Sequence, residues 1–342
     1  MDYPPQPARR IVSLLPAATE IVAALGLRAN LVGRSHECDE PADVATLPAL
    51  TSARIDASAP SRTIHDQVTQ IGRGLDGSAA KAAAGPACTT GTSAALYSLD
   101  IARLAALEPD LILTQAACDV CAISAADVEA AVRQAAVNTR VLALSPITLA
   151  DLFTDILAVG RATGTTAQAR EVVARLKARI ASVACRVRTF PERPRVAVIE
   201  WLDPPMAAGN WVPEMVQLAG GEDVLGKANA HSHWITWDDV AAADPDIVIL
   251  VPCGFPLDRV VAEAGSPAVR PHLERLRACR EGRVFAIDGH HLFNRPGPRL
   301  VDSLEVLAEM LHPGRFAFAA AGRFACRVTT ADARASAPSS HR

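Results

Sequence analysis

The segment "SHECDEP" (35–41) places an imidazole, a thiol and two carboxylates in succession at His36, Glu37, Cys38 and Asp39. Neutral imidazole and thiolate are the donors that zinc or iron select. A second segment, "CDVC" (118–121), adds Cys118 and Cys121. If the two segments meet in space, His36, Cys38, Cys118 and Cys121 could hold a metal or do redox chemistry. A lone CxxC has a plainer reading too, in which Cys118 and Cys121 are small buried thiols and Asp119 is a turn residue.

Trp201 and Trp234 are two of only four tryptophans, and both are expected in loops at strand ends. Flat aromatic surface there suits a large ring-shaped ligand, because such rings gain from burial and stacking; the alternative is ordinary packing. Trp211 and Trp237 read as structural. Arg295 lies in "FNRPGPR" (293–299), where Pro296 and Gly297 turn the backbone. A guanidinium held there could donate to amide carbonyls or to a phosphate. His290 and His291 share this loop; paired histidines could ligate metal, although one exposed ring and one locally bonded ring is the commoner arrangement. Asp100 and Thr236 stand immediately before helical stretches and read as N-caps. Glu20 reads as an exposed helix acid. No nucleophile elbow, phosphate-binding Walker loop or GxGxxG after the first strand occurs, so binding is expected rather than turnover.

The elements that must carry these residues alternate. "RIVSLL", "NLVGRS", "DLILTQ" and "TRVLALS" read as strands separated in part by helical spacing, the pattern of a parallel α/β sheet. Residues 75–95 are small and Gly-rich and read as a loop insertion. From 148 to about 190 the sequence is helical, with a break at Gly164. Its second part exceeds twenty residues, about 35 Å of helix at 1.5 Å per residue. A second alternating segment starts at "RVAVIEW" and continues through "DIVILVP" and "GRVFAID". "LAALEPDLILTQAAC" (104–118) and "VAAADPDIVILVPCG" (240–254) repeat one design of helix end, acid-Pro-Asp turn, apolar strand and cysteine. The expected organisation is an N-terminal α/β lobe (9–147), a long rigid helical connector (148–190), a similar C-terminal α/β lobe (191–316) and a disordered tail (317–342). In parallel sheets ligands bind beyond the carboxyl ends of the strands, so two such lobes are expected to define a ligand cleft between them.

The 342 residues suffice for two cores. Net charge is -3, which offers no basic excess to neutralise phosphates and speaks against nucleic acid. No apolar run reaches the roughly 18 residues of a membrane span. The opening "MDYPPQPARR" lacks a secretory pattern, which predicts a cytoplasmic protein, or a periplasmic or secreted one if the true start lies upstream. Eight cysteines do not form a small disulfide scaffold.

The order of elements, with "SLLPAATEIVAALG", "GRSHECDEP", the paired "EPDLIL" and "DPDIVIL" turns and "HLFNRPGPRLVDSLEVL", resembles the cobalamin-binding proteins of ABC importers, within the wider group of iron-siderophore, haem and cobalamin binders. The resemblance spans roughly residues 9 to 312. It implies a corrinoid, cobalamin or a precursor, as ligand. By position it puts ligand contacts at His36, Glu37, Cys38, Glu200, Trp201, His233, Trp234 and Arg295, to which His291 is added. His36 or Cys38 could then approach the cobalt. The resemblance further implies docking to an ABC permease through one outward acid per lobe. Asp238 occupies the C-terminal position, whereas the N-terminal one is Ala102. A non-secreted carrier, an importer component for siderophore, haem or cobalamin, and a Cys/His metal or redox protein on the same scaffold are therefore all expected possibilities.

Overall fold

Four apolar runs of the first half pair as one parallel sheet in the computed structural model, which describes residues 7–73, 96–115, 123, 125–318 and 321–328. The strands are β1 (Ile11–Ser13), β2 (Leu31–Arg34), β5 (Leu111–Gln115) and β6 (Arg140–Leu144), in the order β2-β1-β5-β6. Between them in sequence, β3 (Thr51–Ala53) and β4 (Tyr97–Leu99) form a separate antiparallel pair. Val12 and Ile112 from this sheet, with Leu14 just after β1, pack with Leu104, Val128 and Ala131 of two helices as a buried cluster. The described residues of Met1–Ala59, Thr63–Pro146 and Ala150–Arg175 make up this first unit.

The second unit comprises Pro60–Arg62, Ile147–Leu149 and the described residues from Leu176 onward. Its strands are β7 (Arg195–Leu202), β8 (Pro205–Ala207), β9 (Glu222–Asp223), β10 (His233–Trp234), β11 (Ile247–Leu250), β12 (Val284–Ile287) and β13 (Ala325–Arg327). The main path runs β10-β8-β7-β11-β12-β13, with β9 added beside the start of β7. β7, β11 and β12 are parallel to one another. β8, β10 and β13 run antiparallel to their neighbours.

The repeated acid-Pro-Asp segment builds the same device in each unit. The acid, Glu108 or Asp244, ends a helix in the left-handed region, at φ 42° and 39°. The Asp that follows Pro accepts backbone N–H bonds at the start of the neighbouring strand: Asp110 from Arg10 at 3.1 Å, Asp246 from Arg195 at 2.9 Å. Each of those arginines returns its guanidinium to a carbonyl at the helix end, Arg10 to Leu107 at 2.7 Å and Arg195 to Ala243 at 2.8 Å. One Asp and one Arg thus satisfy backbone groups that a helix end and a strand start would otherwise leave open. Asp100 and Thr236 cap the preceding helices, Thr236 in a full capping box with Asp239.

The helix Leu149–Thr163 stops at Gly164, where φ is +74°. Thr166–Val187 follows as one helix of 22 residues, and the division between the two units falls inside it, after Arg175. Within the second unit Arg179 pins this helix to Leu300–Leu311: it donates to both oxygens of Glu305, at 2.9 and 2.7 Å, and to Asp302 at 2.6 Å. Paired guanidinium and carboxylate planes make the stronger kind of surface ion pair. Arg179→Met is expected to lower unfolding free energy by about 1–2 kcal/mol, since two carboxylates lose their shared cation. A shift of the urea midpoint at constant slope measures it; an unchanged midpoint refutes it.

Within the stretch 317–342, for which the sequence suggests disorder, residues 321–328 are structured. Ala325–Arg327 pair with Phe285–Ile287, and Val328 is buried. Without β13, β12 would be an edge strand with unpaired N–H and C=O groups, and the short apolar segment "FACRV" covers it. Glu20 also differs from expectation, being buried at 6% exposure. No described helix is long and apolar enough to cross a membrane.

Candidate functional site

In the first unit the candidate residues follow the carboxyl end of β2. The Thr51 hydroxyl organises them: it accepts from the His36 backbone N–H at 3.0 Å and donates to Ser35 at 3.0 Å. His36 Nδ1 lies 2.7 Å from that same oxygen, its Nε2 lies 3.3 Å from Glu37 Oε1, and its ring leans on Tyr97. His36 and Glu37 are half-buried and stand next to each other as a polar pair. Cys38, expected from the sequence as a ligand or metal contact, is buried. It is 1% exposed, and the Thr19 hydroxyl donates to its sulfur at 3.0 Å. Arg34 draws the loop inward by donating to the carbonyls of Ser35, His36 and Cys38; the thiol is consequently packed under the loop. Cys118 and Cys121 lie outside the described residues, so the four-residue metal arrangement is not described.

In the second unit two groups of candidates lie near strand ends. The first surrounds Glu200 of β7. Glu200 is buried, and Ser232 donates a short hydrogen bond to its Oε2. Burial pushes its carboxyl up to about 7; the bond from Ser232 opposes that, and the nearby charge of Asp223 adds to it. Burial likewise raises Asp223 to about 6 against hydrogen bonds from the Gly226 and Leu225 N–H groups. Gly209 lies so close to the 230–232 backbone that a Cβ there would sit 2.3 Å from the Ser232 nitrogen, which holds Ser232 against Glu200. His233, in β10, has its pKa lowered by burial and by the charge of Lys227.

Trp201 and Trp234 lie within strands rather than in loops, and their environments differ. Trp201 is 9% exposed, donates its indole N–H to the Ser61 carbonyl at 3.3 Å and meets Phe255 edge-on. It is packed within its unit, which leaves little of its ring exposed for the ligand contact expected from the sequence. Trp234 is 53% exposed. Along β10 in the short antiparallel β8–β10 pair, alternation turns His233 inward and Trp234 outward. Trp211 bonds to the Phe293 carbonyl, and Trp237 stacks on His272; both are structural, as expected.

The second group is the loop after β12. Asp288 Oδ1 accepts the backbone N–H groups of His290 and His291, each at 3.0 Å, while Oδ2 accepts from His291 Nδ1 at 2.8 Å. Burial raises the Asp288 carboxyl, but the hydrogen bonds from His291 outweigh this and hold it below its ordinary range. Arg295, 7% exposed, donates from Nη2 to His290 Nε2 at 2.9 Å. Asp288 and Ser232 are functional candidates that residue-type reasoning missed. The spacing of Asp288 three residues before His291 was the available signal for the first; Ser232 had none beyond its place beside His233. Asp238 is strongly exposed and ion-paired with Arg275.

A family model described as periplasmic binding protein matches residues 11–290. The chain is 22% identical over 316 residues, 90% of its length and 81% of the relative's, to an uncharacterised ABC transporter substrate-binding lipoprotein, YvrC, of Bacillus subtilis. Among solved structures it is similar to the periplasmic vitamin B12 binding protein BtuF of Vibrio cholerae, with TM-score 0.61, 20% identity and coverage of 90% of this chain and 98% of that one. It is similar as well to a periplasmic heme binding protein from Pseudomonas aeruginosa, with TM-score 0.63, 20% identity and coverage of 90% and 94%. At these identities the structural likenesses establish the two-domain α/β fold.

Proposed function

Because the chain belongs to the periplasmic binding protein family, we propose that it is a substrate-binding protein of the ABC-importer type whose ligand is a corrinoid, cobalamin or a close relative. The likeness to a vitamin B12 binder supports this reading. The observation that carries it is the contrast among the tryptophans: Trp201, Trp211 and Trp237 are buried in the second unit, and Trp234 alone of the four is exposed, next to His233 and the Ser232–Glu200 pair. An exposed indole beside polar groups is a combination that binds a large ring with polar edges. His36, Glu37, Glu200, His233, Trp234 and His291 are the proposed contacts, with Arg295 holding His290. Asp238 is the proposed permease-docking acid of its unit, and Ala102 leaves the other unit without one at the matching position.

Cyanocobalamin is expected to quench the intrinsic fluorescence saturably at micromolar concentration, because a corrin absorbs where tryptophan emits. Trp234→Ala leaves three tryptophans as reporters and is expected to weaken binding by about 1–3 kcal/mol, the loss typical of a buried aromatic contact. Absence of saturable quenching by any corrinoid sinks the ligand assignment.

The second reading, import of haem or an iron-siderophore, draws on the likeness to a heme binding protein; quenching by hemin with no response to corrinoids favours it. A Cys/His metal or redox protein is the third, weakened by the packing of Cys38; metal analysis of freshly purified protein tests it. The relatives are named as periplasmic proteins and as a lipoprotein, which lends no support to the cytoplasmic expectation.

A further inference from the structure

We propose that Ser232 is a ligand contact whose polarity Glu200 sets: it donates its hydroxyl hydrogen to a neutral carbonyl on the ligand's rim when Glu200 carries a proton, and withdraws that hydrogen when Glu200 does not. This deepens the reading above and rests on it. Ile199 pairs with Ala207 and Trp201 with Met206, so Glu200 is an extra residue on β7, a bulge in its pairing with β8. Bulges re-aim a side chain and are common beside functional sites. β11 ends at Leu250, the partner of Ile199, which puts Glu200 at the carboxyl edge of the parallel strands, where ligands of such sheets bind. The loop that meets it is fixed by main chain. Asn210 donates its N–H to the Ala230 carbonyl at 2.6 Å, Asn229 donates its own to the Asn210 carbonyl at 3.2 Å, and a Cβ on Gly209 would lie 2.5 Å from the Ala230 oxygen. Ser232, half-buried and two residues before the exposed Trp234, follows this anchor and reaches Glu200 Oε2 with its hydroxyl.

Two hydrogen-bond states follow. An ionised carboxylate only accepts, so the Ser232 hydrogen is then committed to Glu200. A protonated carboxyl has a hydrogen of its own to give; the Ser232 oxygen accepts it, and the serine hydrogen turns away from Glu200. The groups around the pair set which state prevails. The Gly209 N–H donates to the Glu200 carboxyl, and Asp223, on β9 beside the start of β7, adds a second negative charge. Asp223 Oδ1 accepts from the Leu225 and Gly226 N–H groups, at 3.1 and 2.7 Å. On β10, burial and the charge of Lys227 hold His233 below its ordinary pKa, so it is uncharged at neutral pH. Burial and Asp223 together bring the Glu200 proton into the neutral range, at about 7. A ligand carboxylate placed at Ser232 would meet two buried acids, whereas an amide carbonyl accepts the same hydrogen without charge. The arrangement therefore favours a rim of amides, as a corrinoid has, over the carboxylates of haem.

The test uses the full chain and cyanocobalamin, which has no group that titrates between pH 6 and 8.5. Tryptophan quenching is expected to give a dissociation constant that rises roughly tenfold or more across that range, because the competent, protonated form becomes the minor one. At pH 8, calorimetry in two buffers of different ionisation enthalpy is expected to show close to one proton taken up from the buffer per ligand bound. Glu200→Gln never ionises and is expected to abolish both the slope and the uptake. It is expected to be the more stable protein at pH 8, so that loss is not one of folding. Ser232→Ala is expected to bind more weakly at pH 6 and to lose the slope as well. Dicyanocobyrinic acid, the same ring with carboxylates in place of amides, is expected to bind roughly tenfold or more weakly than dicyanocobinamide at pH 8. Saturable quenching by cyanocobalamin with a pH-independent constant overturns the inference and leaves the corrinoid reading standing. So does a slope that survives in Glu200→Gln, where Asp223 still titrates, or in Ser232→Ala, and so does equal binding of the carboxylate and amide rings. Absence of quenching by cyanocobalamin at every pH overturns both.

Discussion

At pH 8 the Glu200→Gln variant is expected to be more stable than wild type by on the order of 3 kcal/mol, and at pH 5 by only about 1 kcal/mol. Against its burial the Glu200 carboxyl has one hydroxyl and one backbone N–H, with a second buried acid close by. Its folded-state pKa is about 7 against an ordinary 4.5. A raised acid binds its proton more tightly folded than unfolded, so its stabilising contribution is complete below 4.5 and is lost as pH rises through about 7. Glutamine has nearly the same shape, still accepts from Ser232 and never ionises. Asp155 in the first unit, raised to about 7 by burial, carries the same sign, and Asp155→Asn should remove that unit's share. His233 and His312, whose pKa values burial lowers, act in the opposite direction as pH falls. Their terms cancel in the difference between wild type and variant. Urea unfolding of both proteins from pH 5 to 8 gives that difference; parallel stability curves would show that Glu200 binds its proton no more tightly in the folded than in the unfolded state.

Replacing Gly289 with alanine should cost about 3 kcal/mol. A Cβ on Gly289 would lie 2.1 Å from the Pro252 carbonyl oxygen and 2.9 Å from its carbon. Both obstacles are main chain at the end of β11, so no rotamer change relieves them. The loop must move, and Asp288, His290 and His291 move with it. Gly254 is the natural control. It has φ +77° but open space where a Cβ would go, so Gly254→Ala should cost only the backbone strain, about 1–2 kcal/mol. Urea midpoints order the two variants. Equal costs would mean that the close approach to Pro252 is relieved at little expense.

Local sequence determined a good deal of this protein. The apolar runs are short and bounded, and a run of alternating or continuous apolar residues can bury itself only as a strand between helices, so the parallel strands β1, β2, β5, β6, β7, β11 and β12 were legible. The duplicated acid-Pro-Asp turn was legible for a similar reason: Pro bars further helix, the acid accepts the left-handed cap and the next Asp finds N–H groups within a few residues. Caps at Asp100 and Thr236 and the break at Gly164 are local in the same sense. What only tertiary structure decided is which polar and aromatic groups face one another. Trp201 and Trp234 are the same residue type, each predicted at a strand end, yet one donates to Ser61, far away in sequence, and the other stands in solvent. Cys38 belongs to the "SHECD" motif by composition, but Thr19 and Arg34 fold it under the loop. The carboxyl of Glu200 is raised by burial and by Asp223 and held back by hydrogen bonds from Ser232 and Gly209, and the tautomer of His290 is set by Arg295 through the turn of the 288–297 loop. Burial and hydrogen-bond partnership are properties of contacts between segments, and the energy that settles them, the desolvation of a charge or the satisfaction of a donor, has no counterpart in the identity of the residue alone.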